Sequence, residues 1–380
     1  MIDLHPHYDV VVRVALDEQI FAVQAYGGIS RLFYEKASAF VRDPDLGIEL
    51  DPLDAPIVNH YVMVDEELAR HLRVRQARSP YLALGRYLTR RRRRSAVDVV
   101  HNTFYLPRGL GEHRDARRIV TVYDMIPELM PRTRRRMDFL TEKHRYVREA
   151  DHIICISEST KRDLLAIYPD VRAPITIAYP GVGGSFVPGL PSLEGLPERY
   201  VLHVGNRSGY KDGTTLLQAF SKVALRDDDI TLFLAGGGAL TADEERLVSE
   251  LGIKGRVVQR LLADDEVPAA YANATVTVFP SRYEGFGLPA VEAMACACPL
   301  ILADTSSLPE VGGEAARYFP PGDVPALAAV LTEVLEDRAQ RVQLADRGTV
   351  QARKFTWHGY AESNVAAYRE AMERPKHRVR

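Results

Sequence analysis

Short apolar runs alternate along this chain with longer amphipathic stretches, and the pattern runs twice. Predicted strands fall at residues 10–16, 97–101, 118–123, 152–157 and 175–178, then at 200–204, 230–235, 256–259, 275–279 and 299–303. Predicted helices lie between them, at 29–40, 134–149, 159–167, 214–224, 242–251, 265–272 and 289–295. Strand–helix alternation of this kind builds parallel sheets with helical covers. The expected fold class is therefore α/β, with two similar domains facing across a cleft.

The two series are divided by PGVGGSFVPGLPSLEGLP, residues 180–197, a Gly/Pro-rich stretch with few charges. That composition suits a connector. A first domain is expected over 1–182, a linker over 183–197 and a second domain over 198–356. A last helix over 357–372 would follow the second domain and return to the first. The length of 380 residues agrees, at about 150 residues per domain.

Composition narrows the function classes. Lys and Arg number 49 against 51 Asp and Glu, for a net charge of −2, so nucleic acid gains no support as a partner. The three cysteines, Cys155, Cys296 and Cys298, stand in apolar runs and imply core packing, with no metal or disulfide framework. No leader is expected from the first residues, and no window approaches about 18 apolar residues, so no membrane span is expected. A cytoplasmic chain, peripheral to a membrane at most, fits this. Two arginine runs, Arg90 to Arg94 and Arg132 to Arg136, would suit an anionic membrane surface, or equally a solvated face.

The densest chemistry lies in VTVFPSRYEGFGLPAVEAMACACPLILAD, residues 276–304. A buried strand ends at Phe279, a loop with Gly285 and Gly287 follows, and Pro289 suits the first turn of a helix. A glycine loop feeding a helix N-terminus at the carboxyl end of a parallel strand is where such sheets bind phosphates. Glu284 on the loop and Glu292 in the helix are placed to accept hydrogen bonds from hydroxyl groups. A helix-start charge interacting with the dipole would explain one of these glutamates, but not the whole string.

Glu284 and Glu292 have seven residues between them, and SRYEGFGLPAVEAMACACPLI resembles the E-x7-E signature of the retaining glycosyltransferases of family 4. The resemblance implies the GT-B fold and a nucleotide-sugar donor held by the second domain. Glu292 would then meet the donor ribose, Glu284 the transferred sugar, and Gly285, Phe286, Gly287 and Leu288 would present backbone amides to the sugar or phosphates. The run YVLHVGNRSGYKDGTTLLQAF, residues 200–220, is similar to the family's segment carrying a basic pair for the diphosphate, here Arg207 and Lys211. Without the resemblance, two solvated loop cations would be the simpler account. Backbone at Arg260 and Leu261 would face the nucleobase. AGGGAL, residues 235–240, is either a close backbone approach to the donor or a plain turn.

The first domain is less legible. QAYGGISRLFYE puts Gly27 and Gly28 before a helix, like the family's glycine loop beside the donor phosphate and the acceptor, or equally as a plain turn, with Arg31 a weaker candidate. His101 ends a predicted strand where relatives carry a sugar-contacting histidine, although the match is offset toward Asn102 and Thr103 and a satisfied structural histidine is the other reading. Asp124 keeps its place in TVYDMIPELMP, where Tyr123 replaces a common histidine, and would orient an acceptor hydroxyl or simply cap a turn. Ser157 and Glu158 read as helix caps or acceptor contacts.

The resemblance implies transfer with retention of configuration, with no metal and no cofactor; Asp227 to Asp229 read as a solvated loop. Expected partners are a nucleotide-sugar donor and a glycan or lipid-linked acceptor, as in cell-surface polysaccharide synthesis. The GDP-mannose of many similar mannosyltransferases is the default donor. The alternatives are a pseudo-glycosyltransferase supporting a partner's activity, and a GT-B sugar-nucleotide epimerase.

Overall fold

A computed structural model of the chain describes residues 10–89, 96–107, 109–130 and 136–376. The strands, in chain order, are β1 (Val12–Leu16), β2 (Ile48–Leu50), β3 (Pro56–Ile57), β4 (Arg75–Gln76), β5 (Val99–Asn102), β6 (Arg117–Val122), β7 (His152–Cys155) and β8 (Ile175–Ile177). They continue with β9 (Tyr200–Val204), β10 (Thr231–Ala235), β11 (Val257–Arg260), β12 (Val276–Phe279), β13 (Leu300–Ala303) and β14 (Ala316–Phe319). Two compact units result, one comprising residues 1–180 and 357–380, the other residues 181–356.

The first unit is built on a six-stranded sheet in the order β2-β1-β5-β6-β7-β8, every pair parallel. β3 and β4 form a small parallel pair of their own. β5 and β7 are buried along their whole length, as strands covered on both faces must be. The helix Trp357–Glu373 packs on this unit, against the helix Gly28–Arg42 and the strands β6, β7 and β8. It buries Tyr360, Ala361, Asn364, Val365, Tyr368 and Ala371, spaced as one helical face.

The second unit has a six-stranded parallel sheet in the order β11-β10-β9-β12-β13-β14. The chain winds outward from β9 through β10 to β11, then crosses over to β12 and winds the other way. Such an order leaves a crevice at the carboxyl ends of β9 and β12, the point where the winding reverses.

Within the two six-stranded sheets, β2 and β14 have no counterpart among the predicted strands. Both are edge strands. An edge strand is paired on one side only, so it carries polar residues that break a continuous apolar run, as in IEL and ARYF. The Gly/Pro-rich stretch also differs from a free connector, because it docks on the second unit. Val182 donates to the Phe355 carbonyl (3.2 Å), Asn273 Nδ2 to Leu190 O (3.1 Å) and Arg260 to Glu194 O (3.0 Å), and Phe186 is buried. Among the described residues, no helix is long and apolar enough to cross a membrane. All three cysteines are buried and free.

Candidate functional site

The crevice of the second unit is lined by two loops. The first leaves β9 at Gly205, makes a 3-10 turn over Gly209–Lys211 and enters the helix Gly213–Ala224. The second leaves β12 at Pro280 and enters the helix Leu288–Ala295 through Gly287. Gly287 has φ +101°, a left-handed conformation open to glycine, and a side chain there would come 3.0 Å from Leu308 Cδ2. Pro289 stands in the helix's first turn.

These loops bring together residues 73 positions apart. Lys211 Nζ donates to Glu284 Oε1 at 2.7 Å, with the side chains 23% and 13% exposed. Both loops are fixed from behind. Arg282 donates through its backbone N–H to Tyr210 O (2.7 Å) and through Nε to Asp212 Oδ2 (2.8 Å). The Glu284 amide donates to Ser306 Oγ (2.8 Å), and Ser307 Oγ donates to the carbonyls of Glu284 and Phe286, both at 2.9 Å. Gly285, Phe286 and Gly287 are buried, and Leu288 opens the helix. Glu292 follows in that helix, half-buried beside Tyr271 and Cys296. Burial first, then Cys298 and Glu292, pushes the Cys296 thiol up to about 12, so it is inert at neutral pH.

Arg207 does not join Lys211. Its side chain is 3% exposed and every guanidinium nitrogen is engaged. Nε donates to Glu244 Oε1 (2.7 Å), Nη1 to Gly236 O (2.9 Å), and Nη2 to the carbonyls of Gly238 and Ala239 (3.1 Å each). The guanidinium therefore clamps the loop after β10. Gly236, Gly237 and Gly238 all have positive φ, and a side chain on Gly237 would lie 2.7 Å from Arg207 Nη1. Burial raises the Glu244 carboxyl, but the bonds from Arg207 and Thr241 outweigh it and bring it below its ordinary range. A basic residue beside a glycine loop looks the same in sequence whether it faces a ligand or its own backbone. Glu244, 37 positions on, makes the difference.

Arg260 ends β11. Its guanidinium binds Glu194 O and Glu266, while its carbonyl accepts from Gly236 N (3.0 Å). Leu261 is 74% exposed. In the Asp227 to Asp229 run, Asp227 pairs with Arg199 (3.1 Å) and Asp228 is solvent-facing. Among the described residues, no group of His, Cys, Asp and Glu is placed to hold a metal ion.

The first unit places its predicted residues differently. His101 is fully buried in the sheet core, a correction to its reading as a sugar contact. Its Nδ1 meets Tyr368 Oη (2.7 Å) and Lys36 Nζ (3.2 Å), and its Nε2 meets Thr121 Oγ1 (2.8 Å). Burial, then the neighbouring Lys36, lowers the imidazole well below its usual value. Lys36, itself fully buried, is likewise held well below the usual lysine range by desolvation.

The carboxyl ends of β1 and β5, where the winding of this sheet reverses, are filled by a closed network. Asp17 accepts from Asn102 Nδ2 (2.6 Å), Thr103 N (2.9 Å) and Thr103 Oγ1 (2.6 Å), and Gln19 reaches Leu106 N (2.6 Å). Asn102 Oδ1 in turn accepts from Arg118 (2.6 Å). Asp17 and Gln19 escaped the sequence reading; an acid directly after an apolar strand was the available signal.

Gly27 and Gly28 open the helix Gly28–Arg42, whose Ser30 amide is capped by Gln24 Oε1 at 2.9 Å. Arg31 pairs with Glu35 on the same helix (3.5 Å). Asp124 Oδ1 accepts from Ile126 N (3.0 Å), and its carbonyl accepts from Lys143 Nζ (2.6 Å), the buried partner of Glu128. Tyr123 donates to Thr103 O (2.7 Å). Ser157 caps the helix Glu158–Ile167. Arg90 to Arg94, Arg132, Arg134 and Arg135 lie outside the described residues, and Arg136 only opens the helix Arg136–Arg148.

Comparison with known proteins agrees with this architecture. A model of glycosyl transferases group 1 matches residues 192–351, and one of glycosyltransferase family 4 matches residues 26–183. O-antigen chain mannosyltransferase B of Escherichia coli is 30% identical over 284 residues, covering 70% of this chain and 72% of that protein. The MMP alpha-(1->4)-mannosyltransferase of Mycolicibacterium hassiacum is 32% identical over 250 residues, covering 64% of this chain and 60% of that protein. Among solved structures, sucrose-phosphate synthase from Thermosynechococcus elongatus superposes with a TM-score of 0.72 at 21% identity, covering 95% of this chain and 99% of that one. Anabaena HepE in complex with UDP and glucose gives 0.70 at 17% identity, covering 93% and 98%. At these identities the likeness to solved structures is one of fold.

Proposed function

We propose, because this chain belongs to glycosyltransferase family 4, that the crevice between β9 and β12 of its second unit holds a nucleotide-sugar donor, and that the sugar transferred is mannose. The chain is a GT-B glycosyltransferase. The observation that carries the donor site is the meeting of Lys211 and Glu284 at that crevice, 2.7 Å apart. A lysine there neutralises charge developing on a departing diphosphate, and a carboxylate accepts from sugar hydroxyls. Glu292, one helical turn inside Leu288–Ala295, accepts from the ribose. Mannose, carried by GDP, is the reading favoured by relatives named as mannosyltransferases.

In this reading transfer proceeds with retention and without a metal. The acceptor hydroxyl attacks on the face the diphosphate leaves, and a donor phosphate oxygen takes its proton, so rate comes from positioning and charge stabilisation. The acceptor is a hydroxyl of a glycan or lipid-linked glycan, as expected for polysaccharide assembly, with the chain peripheral to the membrane. The test is incubation with GDP-mannose, UDP-glucose and UDP-N-acetylglucosamine and a mannan oligosaccharide, with and without EDTA. Release of GDP alone, unchanged by EDTA, with an α-linked product by NMR, is expected. Release of another nucleoside diphosphate rejects mannose, a β-linked product rejects retention, and loss of release in EDTA rejects metal independence.

A further inference from the structure

The Lys211–Glu284 pair sets two donor-binding charges against each other. We propose that Glu284 competes with the donor's diphosphate for Lys211, and that this makes the site hold the nucleoside-diphosphate product less tightly than it otherwise would. The inference rests on the reading of Lys211 as the diphosphate cation and Glu284 as the sugar contact.

Three observations carry it. The pair is direct, at 2.7 Å, and only partly exposed, so its charges are incompletely screened. The two loops are joined at Arg282, whose backbone N–H bonds Tyr210 O and whose side chain bonds Asp212, so separating them to relieve the contact breaks these bonds as well. Finally, the backbone of Glu284 is held on both sides by Ser306 and Ser307, which leaves rotation of its side chain as the available movement.

A diphosphate approaching Lys211 therefore meets a carboxylate already beside it. If the lysine bridges both anions, two like charges are forced together; if the diphosphate displaces Glu284, that carboxylate loses its cation. An intact donor compensates, because its sugar hydroxyls donate to Glu284. The product has lost the sugar and offers nothing in return. Glu284 thus favours donor over product, and speeds release of a product that otherwise occupies the site.

Calorimetric titration of the full chain with GDP, UDP, GDP-mannose and UDP-glucose tests this in wild type, Glu284→Gln and Glu284→Ala. Removing the charge is expected to tighten binding of the nucleoside diphosphate by about three- to fivefold, the scale of a partly exposed ion pair. The same substitutions are expected to weaken sugar-nucleotide binding, most in Glu284→Ala, and to strengthen product inhibition. Opposite signs for product and donor are a result that general loss of structure does not produce. Nucleoside-diphosphate affinity unchanged or reduced in folded Glu284→Gln and Glu284→Ala overturns the proposal alone. Absence of binding by any of the four ligands to wild type overturns the donor site itself, and the proposal with it.

Discussion

The two sheets reverse their winding in the same way, yet their carboxyl edges are furnished differently. In the second unit the edge between β9 and β12 carries a partly exposed cation and carboxylate, Lys211 and Glu284, on loops fixed by neighbouring side chains. In the first unit the edge between β1 and β5 is closed by Asp17, Gln19, Asn102 and Thr103, all buried and bonded to one another or to nearby backbone. Lys36 and His101 of that unit are likewise fully buried. Topology alone therefore does not make a binding site. What matters is whether the polar groups at the switch point are spent on the protein or left in reach of a ligand.

The largest test of this contrast is Lys211→Ala. It is expected to lower turnover by about 10²–10³-fold, the cost of one lost charge-stabilising contact, with folding intact. Nucleoside-diphosphate release and thermal unfolding measure both, and near-normal turnover would erase the distinction between the two edges.

Arg207→Met sharpens the contrast within the second unit. Glu244 would lose its cation and three loop carbonyls their donor, so stability is expected to fall by about 2–4 kcal/mol in denaturant unfolding. The ionic-strength dependence of nucleoside-diphosphate binding should stay as in wild type, while Lys211→Ala should flatten it. A flattened slope in Arg207→Met would return Arg207 to the phosphate.

The first unit makes a pH prediction. Lys36 and His101 are both harder to protonate folded than at their ordinary values of 10.5 and 6.5. The unfolded chain therefore binds more protons as pH falls, and stability drops from pH 10.5 downward through Lys36 and again below 6.5 through His101. Lys36→Met is expected to remove the first slope and add about 1–3 kcal/mol at pH 7, since a buried amine with no carboxylate beside it among the described residues gives way to an apolar chain. Urea unfolding at pH 7 and 9 decides it, and a variant less stable than the parent would mean that Lys36 is needed where it stands. The smallest effect is expected at Arg282→Ala. Its side chain is 52% exposed and pairs with Asp212, so less than about 1 kcal/mol of stability is at stake.

Much of the second unit is legible in the sequence because its signals are local. SRYEGFGLPAVE sets a strand end, a left-handed Gly287 and a proline-started helix within a dozen residues, and each step follows from backbone sterics. The spacing of Glu284 and Glu292 and the lysine after β9 carry the family resemblance. The first unit's signals are weaker for a physical reason. His101 is the last residue but one of β5, and a residue near a strand's carboxyl end faces core or crevice according to what packs above it. Here the helix Trp357–Glu373 brings Tyr368 onto it from 267 positions away.

The sequence by itself determined the α/β class, two units of parallel sheet, the glycine loop before Leu288–Ala295 and the residue types of the proposed phosphate and hydroxyl site. Periodicity and backbone geometry act over a few residues, and those suffice. Only the tertiary structure decided which polar groups are already spent. Arg207 is taken by Glu244 and a glycine loop, His101 by Tyr368 and Thr121, and Lys211 is shared with Glu284. Each of those partners reaches its place through sheet order and helix packing, because a charged side chain's best partner is whichever group the fold leaves nearest to it.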